Sequence, residues 1–143
     1  MSEESQPRQL ADWMVEHMEA YLATDGEDGH TWRGVPALLL TTTGRRTGRS
    51  LMLPLIYGTH GDHYVIVASK GGNPKHPGWY LNLSAEPAVE VQVGADRFSA
   101  RARTAAGEER AALWDQMAQI WPPYNEYQTK TEREIPVVVL ERV

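Results

Sequence analysis

Leu38-Leu39-Leu40-Thr41-Thr42-Thr43-Gly44-Arg45-Arg46-Thr47-Gly48 is the stretch of sequence that decides the fold. An apolar run that turns β-branched predicts a strand over Ala37–Thr43, and the glycines and charges that follow predict a tight turn at Gly44–Arg49. A second strand over Leu51–Tyr57 completes a hairpin. Pro54 inside this second strand cannot donate a ladder hydrogen bond, which predicts an edge position or a bulge.

The remaining elements continue the same pattern of short strands and tight turns. A turn at Thr59–Asp62 leads to a third strand over His63–Ser69. The remaining predicted strands are Val89–Val93, Arg97–Arg103 and Ile135–Leu140. Predicted helices run from Pro7 to about Leu22, over Trp79–Leu83, and over Gly107–Trp121, where Pro122 and Pro123 end the last one. Consecutive strands of this kind favour an antiparallel sheet that closes into a small barrel, so the predicted class is α+β and mainly β.

Composition limits what the protein can be. The chain has 143 residues, a hydrophobic share of 41%, a net charge of −5 and no cysteine. We expect one domain over 1–143, no disulfide or thiolate metal site, and no general affinity for nucleic acid, which requires a basic face. No apolar window is long enough to span a membrane, and the polar N-terminus does not resemble a signal peptide, so we expect a cytoplasmic location.

The N-terminal helix and the oligomeric state leave alternatives open. The helix is amphipathic and packs either on its own domain, on a partner or on a membrane surface. Asp12, Glu16 and Glu19 on its polar face would repel anionic lipid, which favours packing on protein. The sequence is compatible with a monomer and with a homodimer.

Two basic loops stand out in an otherwise acidic chain. The first holds Arg45, Arg46 and Arg49 between two strands, and the second, Ser69-Lys70-Gly71-Gly72, also follows a strand. Arginine binds phosphate bidentately, and glycine-rich backbone lets N–H groups approach an anion. Each loop alone is typical of a solvated hairpin tip. The pair together predicts a site for one small anion.

No residue set for protein-borne hydrolysis is present. The sequence lacks a nucleophile elbow, a dinucleotide fingerprint, a phosphate loop and a zinc-helix motif, and the pair His60 and His63 has no further ligand spaced to complete a metal site. Chemistry carried by a bound cofactor needs none of these. Trp79, Trp121 and the tyrosines of the Tyr124–Gln128 segment are either core residues or, for Tyr124 and Tyr127, an aromatic flap over a planar ligand.

Six motifs together resemble a known family. They are Leu38–Gly48, Pro54-Leu55, Val67–Gly72, Pro77–Leu83, Glu108-Glu109-Arg110 and Ile135–Val138. Their order and spacing resemble the deazaflavin-dependent nitroreductase family of mycobacteria and related actinobacteria, class A of the deazaflavin-dependent oxidoreductases. The resemblance implies a split β-barrel like that of FMN-binding proteins over 35–143, behind an N-terminal helix and linker in 1–30. It also implies hydride transfer from reduced coenzyme F-420, whose phosphate and oligoglutamate tail match the basic loops.

The resemblance also assigns roles to positions. Arg45, Arg46, Thr47 and Lys70 would hold the phosphate. The deazaflavin ring would be lined, largely by backbone, by Met52, Leu53, Pro54, Leu55, Ile56, Val67, Ala68 and Ser69. The same pocket would be closed by Gly78, Trp79, Tyr80, Leu81 and Asn82. Trp121, Tyr124 and Tyr127 would lie over the acceptor, and the candidate catalytic residues are Tyr124, Tyr127 and Ser69.

Three departures from the family pattern shape the expected activity. Leu51 stands where relatives often carry arginine, so Arg49 would have to supply that contact. Ile56 and Trp121 replace tyrosines of the nitroimidazole-activating member, which argues against nitro-drug activation. We therefore expect reduction of activated C=C bonds in unsaturated lactones and coumarin-type compounds, or of quinones. The alternatives are an FMN-dependent oxidoreductase of the same fold and a non-catalytic F-420 carrier.

Overall fold

The computed structural model describes residues 12–143, so the predicted helix start at Pro7 lies outside the described residues. The helices are α1 (Asp12–Ala23), α2 (Gly78–Ala85), α3 (Gly107–Ile120) and α4 (Pro123–Thr129), with a 3-10 turn at Lys70–Gly72. The strands are β1 (Thr31–Trp32), β2 (Val35–Thr43), β3 (Ser50–Ile56), β4 (Gly58–His60), β5 (His63–Val67), β6 (Ala88–Val93), β7 (Asp96–Thr104) and β8 (Val137–Arg142).

The strands form one antiparallel sheet that curls into an incompletely closed barrel. Its order is β1-β2-β6-β7-β8-β5-β4, and β3 pairs with β2 off this path. Among the described strands β3 pairs with β2 alone, so the predicted edge position of Pro54 is confirmed. The barrel is open between β3 and the β4–β5 pair, because no pairing among the described strands joins β3 to either of them, and we call this opening the seam. The predicted α+β, mainly β, split-barrel fold is confirmed.

Two hydrophobic cores follow from the alternation of side chains along the strands. Val138 and Leu140 point into the barrel beside Leu38, Leu40 and Ile66. Their neighbours on the other face, including Val137 and Val139, pack with Val65, Leu113 and Met117 under helices α3 and α4. Residues Val137 to Leu140 are all fully buried, which confirms the predicted burial of both faces of this strand.

Helix α1 packs on the barrel through Tyr21. The ring is fully buried, and its hydroxyl donates to the carbonyls of Ala37 (3.1 Å) and Gln92 (3.3 Å) and accepts from the N–H of Gly94 (2.7 Å). Of the alternatives that the sequence left open for this helix, the described part of α1 packs on its own domain. No helix in residues 12–143 is both long and apolar enough to cross a membrane.

Three local predictions were wrong. Thr59 and His60 belong to strand β4 rather than to the predicted turn, because they pair with Tyr64 and His63 across a tighter turn. The two-residue strand β1 was missed, since so short a segment shows no alternation. The polar segment after Pro122 is helix α4, which Pro123 begins, because proline is well suited to the first turn of a helix.

Candidate functional site

A cleft of about 580 Å³ opens beside the seam of the barrel. Its walls come from β3, the end of β5, the loop after β5, helix α4 and the N-terminal part of the chain. The lining residues are Trp13, Met14, His17, Trp32, Ala37, Leu53, Pro54, Leu55, Ile56, Val67, Ser69, Lys70, Gly71, Pro77, Trp79, Trp121, Tyr124 and Tyr127. Carbon-rich and aromatic side chains dominate this set, which is typical of a site for a flat organic molecule.

The structure brings eleven of the predicted site residues to this cleft and leaves nine outside its lining. The eleven are Leu53, Pro54, Leu55, Ile56, Val67, Ser69, Lys70, Trp79, Trp121, Tyr124 and Tyr127. The nine are Arg45, Arg46, Thr47, Met52, Ala68, Gly78, Tyr80, Leu81 and Asn82. Of these nine, Ala68 is fully buried, whereas Met52 and Leu81 are exposed.

The loop after β5 has an unusual backbone. Lys70, Gly71 and Gly72 all have positive φ angles, of 46°, 62° and 83°. Lys70 is the one residue of the three for which this conformation is strained, because its Cβ crowds the backbone. The N–H groups of Gly72 and Asn73 bond back to Ser69 (2.9 Å) and Lys70 (3.1 Å), so the turn is closed while Lys70 itself is exposed at the cleft. We call residues 69–76 the Lys70 loop.

Arg133 holds the Lys70 loop from behind. Its guanidinium donates to the carbonyls of Ser69 (2.8 Å), Asn73 (2.8 Å) and Ala68 (3.2 Å), and Nη1 lies 3.1 Å from His76 Nδ1. Burial, and then the nearby guanidinium, lower the pKa of His76, which favours the neutral ring that accepts this hydrogen bond. Sequence reasoning missed Arg133, which stands in a charged connector that looks like solvated surface.

The first basic loop, Gly44–Arg49, has a simpler structure. The N–H of Gly44 donates to the Arg49 carbonyl (2.7 Å), which closes the end of the β2–β3 hairpin. Arg45 is fixed on α2, because both its N–H (3.2 Å) and its Nη1 (2.8 Å) donate to Oδ1 of the buried Asn82. Thr43 pairs with Ser50, only three residues before Leu53 in the cleft wall. The loop therefore lies about 10 Å from that wall along the strand.

Helix α4 supplies the aromatic wall of the cleft. Tyr124 is only 5% exposed and packs edge-on to Tyr127, so the expected flap is a helix with a buried tyrosine. Burial raises the pKa of Tyr124, so its hydroxyl keeps its proton. Tyr124 is nevertheless one of the residues that line the cleft.

The N-terminal part of the chain forms a wall that sequence reasoning did not find. Trp13 of α1 stacks on Trp32 of β1 at 5.5 Å, and Trp32 contacts Trp121 at 5.4 Å between ring centres. Trp13, Met14 and His17 lie one, three and four residues apart in the helix that the sequence predicts to be amphipathic, and all three line the cleft. Nothing in that spacing shows that the face packs onto a cleft rather than onto a closed core.

The residues of the cleft fit a flat anionic cofactor. Apolar residues of β3 and tyrosines of α4 line the cleft together with the cationic Lys70, and the Gly44–Arg49 loop follows the β3 wall about 10 Å along the strand. Within residues 12–143 no group of three or more His, Asp or Glu residues is placed to hold a metal ion. The fold and this cleft together define the class of split-barrel proteins that bind a flavin-like cofactor at the barrel seam.

Comparison with known proteins narrows this class. The sequence model of the family described as F420H(2)-dependent quinone reductase matches residues 13–142. An F420H(2)-dependent quinone reductase of Mycobacterium tuberculosis is 43% identical over 135 residues, which cover 88% of this chain and 87% of that protein. A solved F420-H2 dependent reductase matches with 47% identity and a TM-score of 0.70, over 74% of this chain and 94% of the other. A chain described as a domain-swapped dimer matches with 44% identity and a TM-score of 0.72, over 91% and 98%.

The chain belongs to the F420H(2)-dependent quinone reductase family. It is an F-420-dependent oxidoreductase, and reduced coenzyme F-420 is its cofactor. The resemblance inferred from the sequence motifs is thereby confirmed, whereas FMN stays an alternative that no comparison favours. The roles of individual residues and the acceptor are matters for proposal.

Proposed function

We propose that this protein is a cytoplasmic reductase that uses reduced coenzyme F-420 to reduce flat conjugated carbonyl compounds, with quinones as the leading class. One observation supports this most strongly. The lining of the cleft is mostly apolar and aromatic and includes the exposed cationic side chain of Lys70. Such a site suits a cofactor that combines a planar ring with an anionic tail, together with a second planar molecule.

The cationic loops bind the anionic part of the cofactor in this proposal. Lys70 contacts the phosphate from the cleft wall, and Arg45, Arg46 and Thr47 contact it from the hairpin end. Asn82 holds the backbone and guanidinium of Arg45 in place. Guanidinium and ammonium groups on two separate loops neutralise the charge of the phosphate and fix its orientation through hydrogen bonds.

The seam strands hold the ring. Residues 52–56 of β3 and 67–69 at the end of β5 flank the open edge of the barrel, where β3 pairs with β2 alone among the described strands. Backbone N–H and C=O groups that face the seam are therefore left to bond a ligand. When bound, reduced F-420 supplies a hydride. The protein's part is to hold the acceptor against that ring and to exclude water.

The acceptor side needs one proton as well as the hydride. Reduction of a quinone to a hydroquinone consumes one hydride and one proton, and reduction of a conjugated C=C bond consumes the same pair. Tyr124 lines the cleft and keeps its proton because burial raises its pKa, and in this proposal its hydroxyl donates that proton or bonds the acceptor carbonyl. Tyr127 and Ser69 line the same space and are the other candidates.

Quinones rank ahead of the lactones and coumarin-type compounds for one reason. The relatives at 43% identity are described as quinone reductases. Both acceptor groups are planar carbonyl compounds that fit between Trp121 and the tyrosines of α4, so the same cleft serves either.

An anaerobic titration tests the proposal. The protein is titrated with F-420 and, in parallel, with FMN, and a quinone or a coumarin is then added to the protein with reduced F-420. We expect F-420 to bind more tightly than FMN and its oxidised absorbance to return only with both protein and quinone present. Preference for FMN would transfer the protein to the flavin alternative, and F-420 binding without turnover would indicate a carrier.

A tyrosine variant tests the role of the acceptor side. Tyr124→Phe removes the hydroxyl and keeps the ring, so we expect kcat to fall by about 100-fold if the group donates the proton. Tyr64→Phe is the matched control, because Tyr64 packs on Phe98 away from the cleft. Equal kcat values for the two variants would remove Tyr124 from proton transfer.

A further inference from the structure

We propose that Arg133 is a positioning residue that joins the Lys70 loop to helix α4, so that the phosphate-binding loop and the acceptor-side tyrosines form one unit. This inference rests on the proposed function in one respect, which is that the Lys70 loop binds the phosphate and helix α4 contacts the acceptor. The joint itself is a feature of the protein without any ligand. Its geometry has three components, which are the guanidinium, the backbone of Arg133 and the contact of Gly72 with α4.

The guanidinium spans the Lys70 loop from one end to the other. Nη1 and Nη2 reach the carbonyls of Ala68 (3.2 Å) and Ser69 (2.8 Å), where β5 has just ended. Nε reaches the carbonyl of Asn73 (2.8 Å), beyond the left-handed turn. A single planar group thus fixes both ends of a segment whose middle residue, Lys70, is in a strained conformation.

Among residues 12–143 no acidic side chain neutralises the charge of Arg133. Its neighbour Glu134 pairs with Arg110, and no ion pair of residues 12–143 joins a carboxylate to Arg133. Its acceptors are three carbonyls and the ring nitrogen of His76. A positive charge directly behind the Lys70 loop raises the potential that an anion meets there.

The backbone of Arg133 is fixed to α4 at the same time. The Arg133 carbonyl accepts from Nε2 of Gln128 (2.8 Å), a residue of α4. Oε1 of the same Gln128 accepts from the N–H of Ile135 (3.0 Å), so one side chain of the helix clamps both flanks of Glu134. Tyr124 and Tyr127 lie on this helix, four residues and one residue before Gln128.

Gly72 provides a second joint that is independent of Arg133. A Cβ added at Gly72 would lie 2.6 Å from the Tyr127 carbonyl oxygen and 3.1 Å from Tyr127 Cα. The backbone of the Lys70 loop therefore packs directly on the backbone of α4. With two separate contacts between the Lys70 loop and α4 or its connector, we expect a change in the loop to be transmitted to the helix.

Arginine is needed at this position for a geometric reason. Its donors diverge in one plane and reach acceptors at both ends of the loop, whereas a lysine ammonium donates from one point. Arg133→Lys therefore keeps the charge and loses the span. Arg133→Gln loses both. Arg101→Gln is the matched control. Arg101 is exposed on β7, and its replacement changes the net charge by the same amount.

The test uses two measurements on the full chain. Amide hydrogen exchange is followed in the protein without cofactor at residues 69–76 and 123–129, and the Kd for oxidised F-420 is measured separately. We expect Arg133→Gln to speed exchange in both segments and to raise Kd by about 10-fold or more, the effect of removing charge-assisted hydrogen bonds. Arg133→Lys should do the same to a smaller extent and carries the test if the glutamine variant fails to fold. Arg101→Gln should match the wild type.

The outcomes separate the two proposals. If Arg133→Gln speeds exchange in residues 69–76 alone, or in neither segment, the proposed joint between the loop and α4 is overturned. A lower melting temperature with an unchanged Kd and unchanged local exchange would make Arg133 merely structural and would also overturn it. If the wild-type protein does not bind F-420, the proposed function fails, and the exchange measurement still decides the inference.

Discussion

The two basic loops look alike in sequence and differ in how the structure holds them. Gly44–Arg49 closes an ordinary hairpin, and Arg45 bonds outward to Asn82 on the neighbouring helix. The Lys70 loop has three consecutive left-handed residues, faces the cleft, and is held by a guanidinium that comes from sixty residues further along the chain. The Gly44–Arg49 loop carries its charge on a regular hairpin. The Lys70 loop carries its charge on a left-handed backbone that also contacts α4 on the acceptor side.

Composition alone therefore does not tell which of the two loops is coupled to the rest of the cleft. The first loop depends on contacts within a hairpin and one adjacent helix, so damage to it should stay local. The second depends on distant residues of α4 and the connector after it, so damage to it should spread. Changes of the same kind made in each loop test this contrast directly.

The largest difference is expected from alanine at two glycines with similar backbone angles. Gly72 (φ +83°) lies against α4, and its new Cβ would meet the Tyr127 carbonyl oxygen at 2.6 Å, whereas Gly48 (φ +74°) has open space around it. Gly48→Ala should lower the free energy of unfolding by about 1–2 kcal/mol, the cost of a left-handed alanine. Gly72→Ala should cost at least about 2 kcal/mol more, since backbone must move as well. Urea denaturation measures both.

Equal losses for the two alanine variants would contradict this contrast. They would mean that α4 yields to the new methyl group without strain, and that the Lys70 loop is no more firmly seated than the hairpin.

A smaller effect is expected from cutting the support of the first loop. Asn82→Ala leaves the N–H and guanidinium of Arg45 without their shared acceptor, in a site where the Asn82 side chain is only 1% exposed. We expect a loss of about 1–3 kcal/mol in the free energy of unfolding. The Kd for F-420 should rise by only a few fold, because Lys70 and the other arginines remain.

The control for this variant is Asn125→Ala. Asn125 is exposed and accepts a single hydrogen bond, from Trp114 Nε1, outside the cleft. It should cost less than about 1 kcal/mol and leave the Kd unchanged. A Kd for Asn82→Ala as poor as that of Arg133→Gln would show that the two loops depend equally on their supports.

The smallest effect is a pH dependence confined to the second loop. Burial, and then Arg133, lower the pKa of His76 below its ordinary value of 6.5. Between the folded pKa and 6.5 the unfolded chain binds more protons, so the free energy of unfolding falls as pH falls through this window. The melting temperature should therefore fall less between pH 7 and pH 5 for His76→Gln than for the wild type. The glutamine amide oxygen can still accept the hydrogen bond from Arg133.

The first loop provides the contrast for this measurement, because it contains no histidine. Wild-type and His76→Gln curves that superimpose across the whole range would contradict the prediction. They would show that His76 takes up its proton without loss of its contact with Arg133.

Much of the fold was predictable because its signals are local. The β2–β3 hairpin, the edge position of Pro54, the long helix α3 and the doubly buried β8 all follow from runs, turns and proline chemistry that act within a few residues. Strand β4 and helix α4 were missed for opposite reasons. Strand β4 is too short to alternate, and α4 has a polar sequence whose helical state depends on the burial of Tyr124.

The cleft was predictable only in part. The seam residues and the aromatic wall were anticipated from the family motifs, and eleven of the predicted residues line the cleft. Trp13, Trp32 and Arg133 were not anticipated. Each contributes through a partner that lies far away in the sequence, and no local spacing encodes such a partner.

By itself the sequence determined a mainly β barrel with two cationic loops, because strand alternation, turn residues and charge are local properties, and its motifs resembled a family that uses a bound cofactor. Tertiary structure decided which loop faces the cleft, which tyrosine is buried there with a raised pKa, and which arginine holds the Lys70 loop to α4. Those features depend on burial and on contacts across the chain, which exist only once the barrel has closed and α1, α3 and α4 have packed around it.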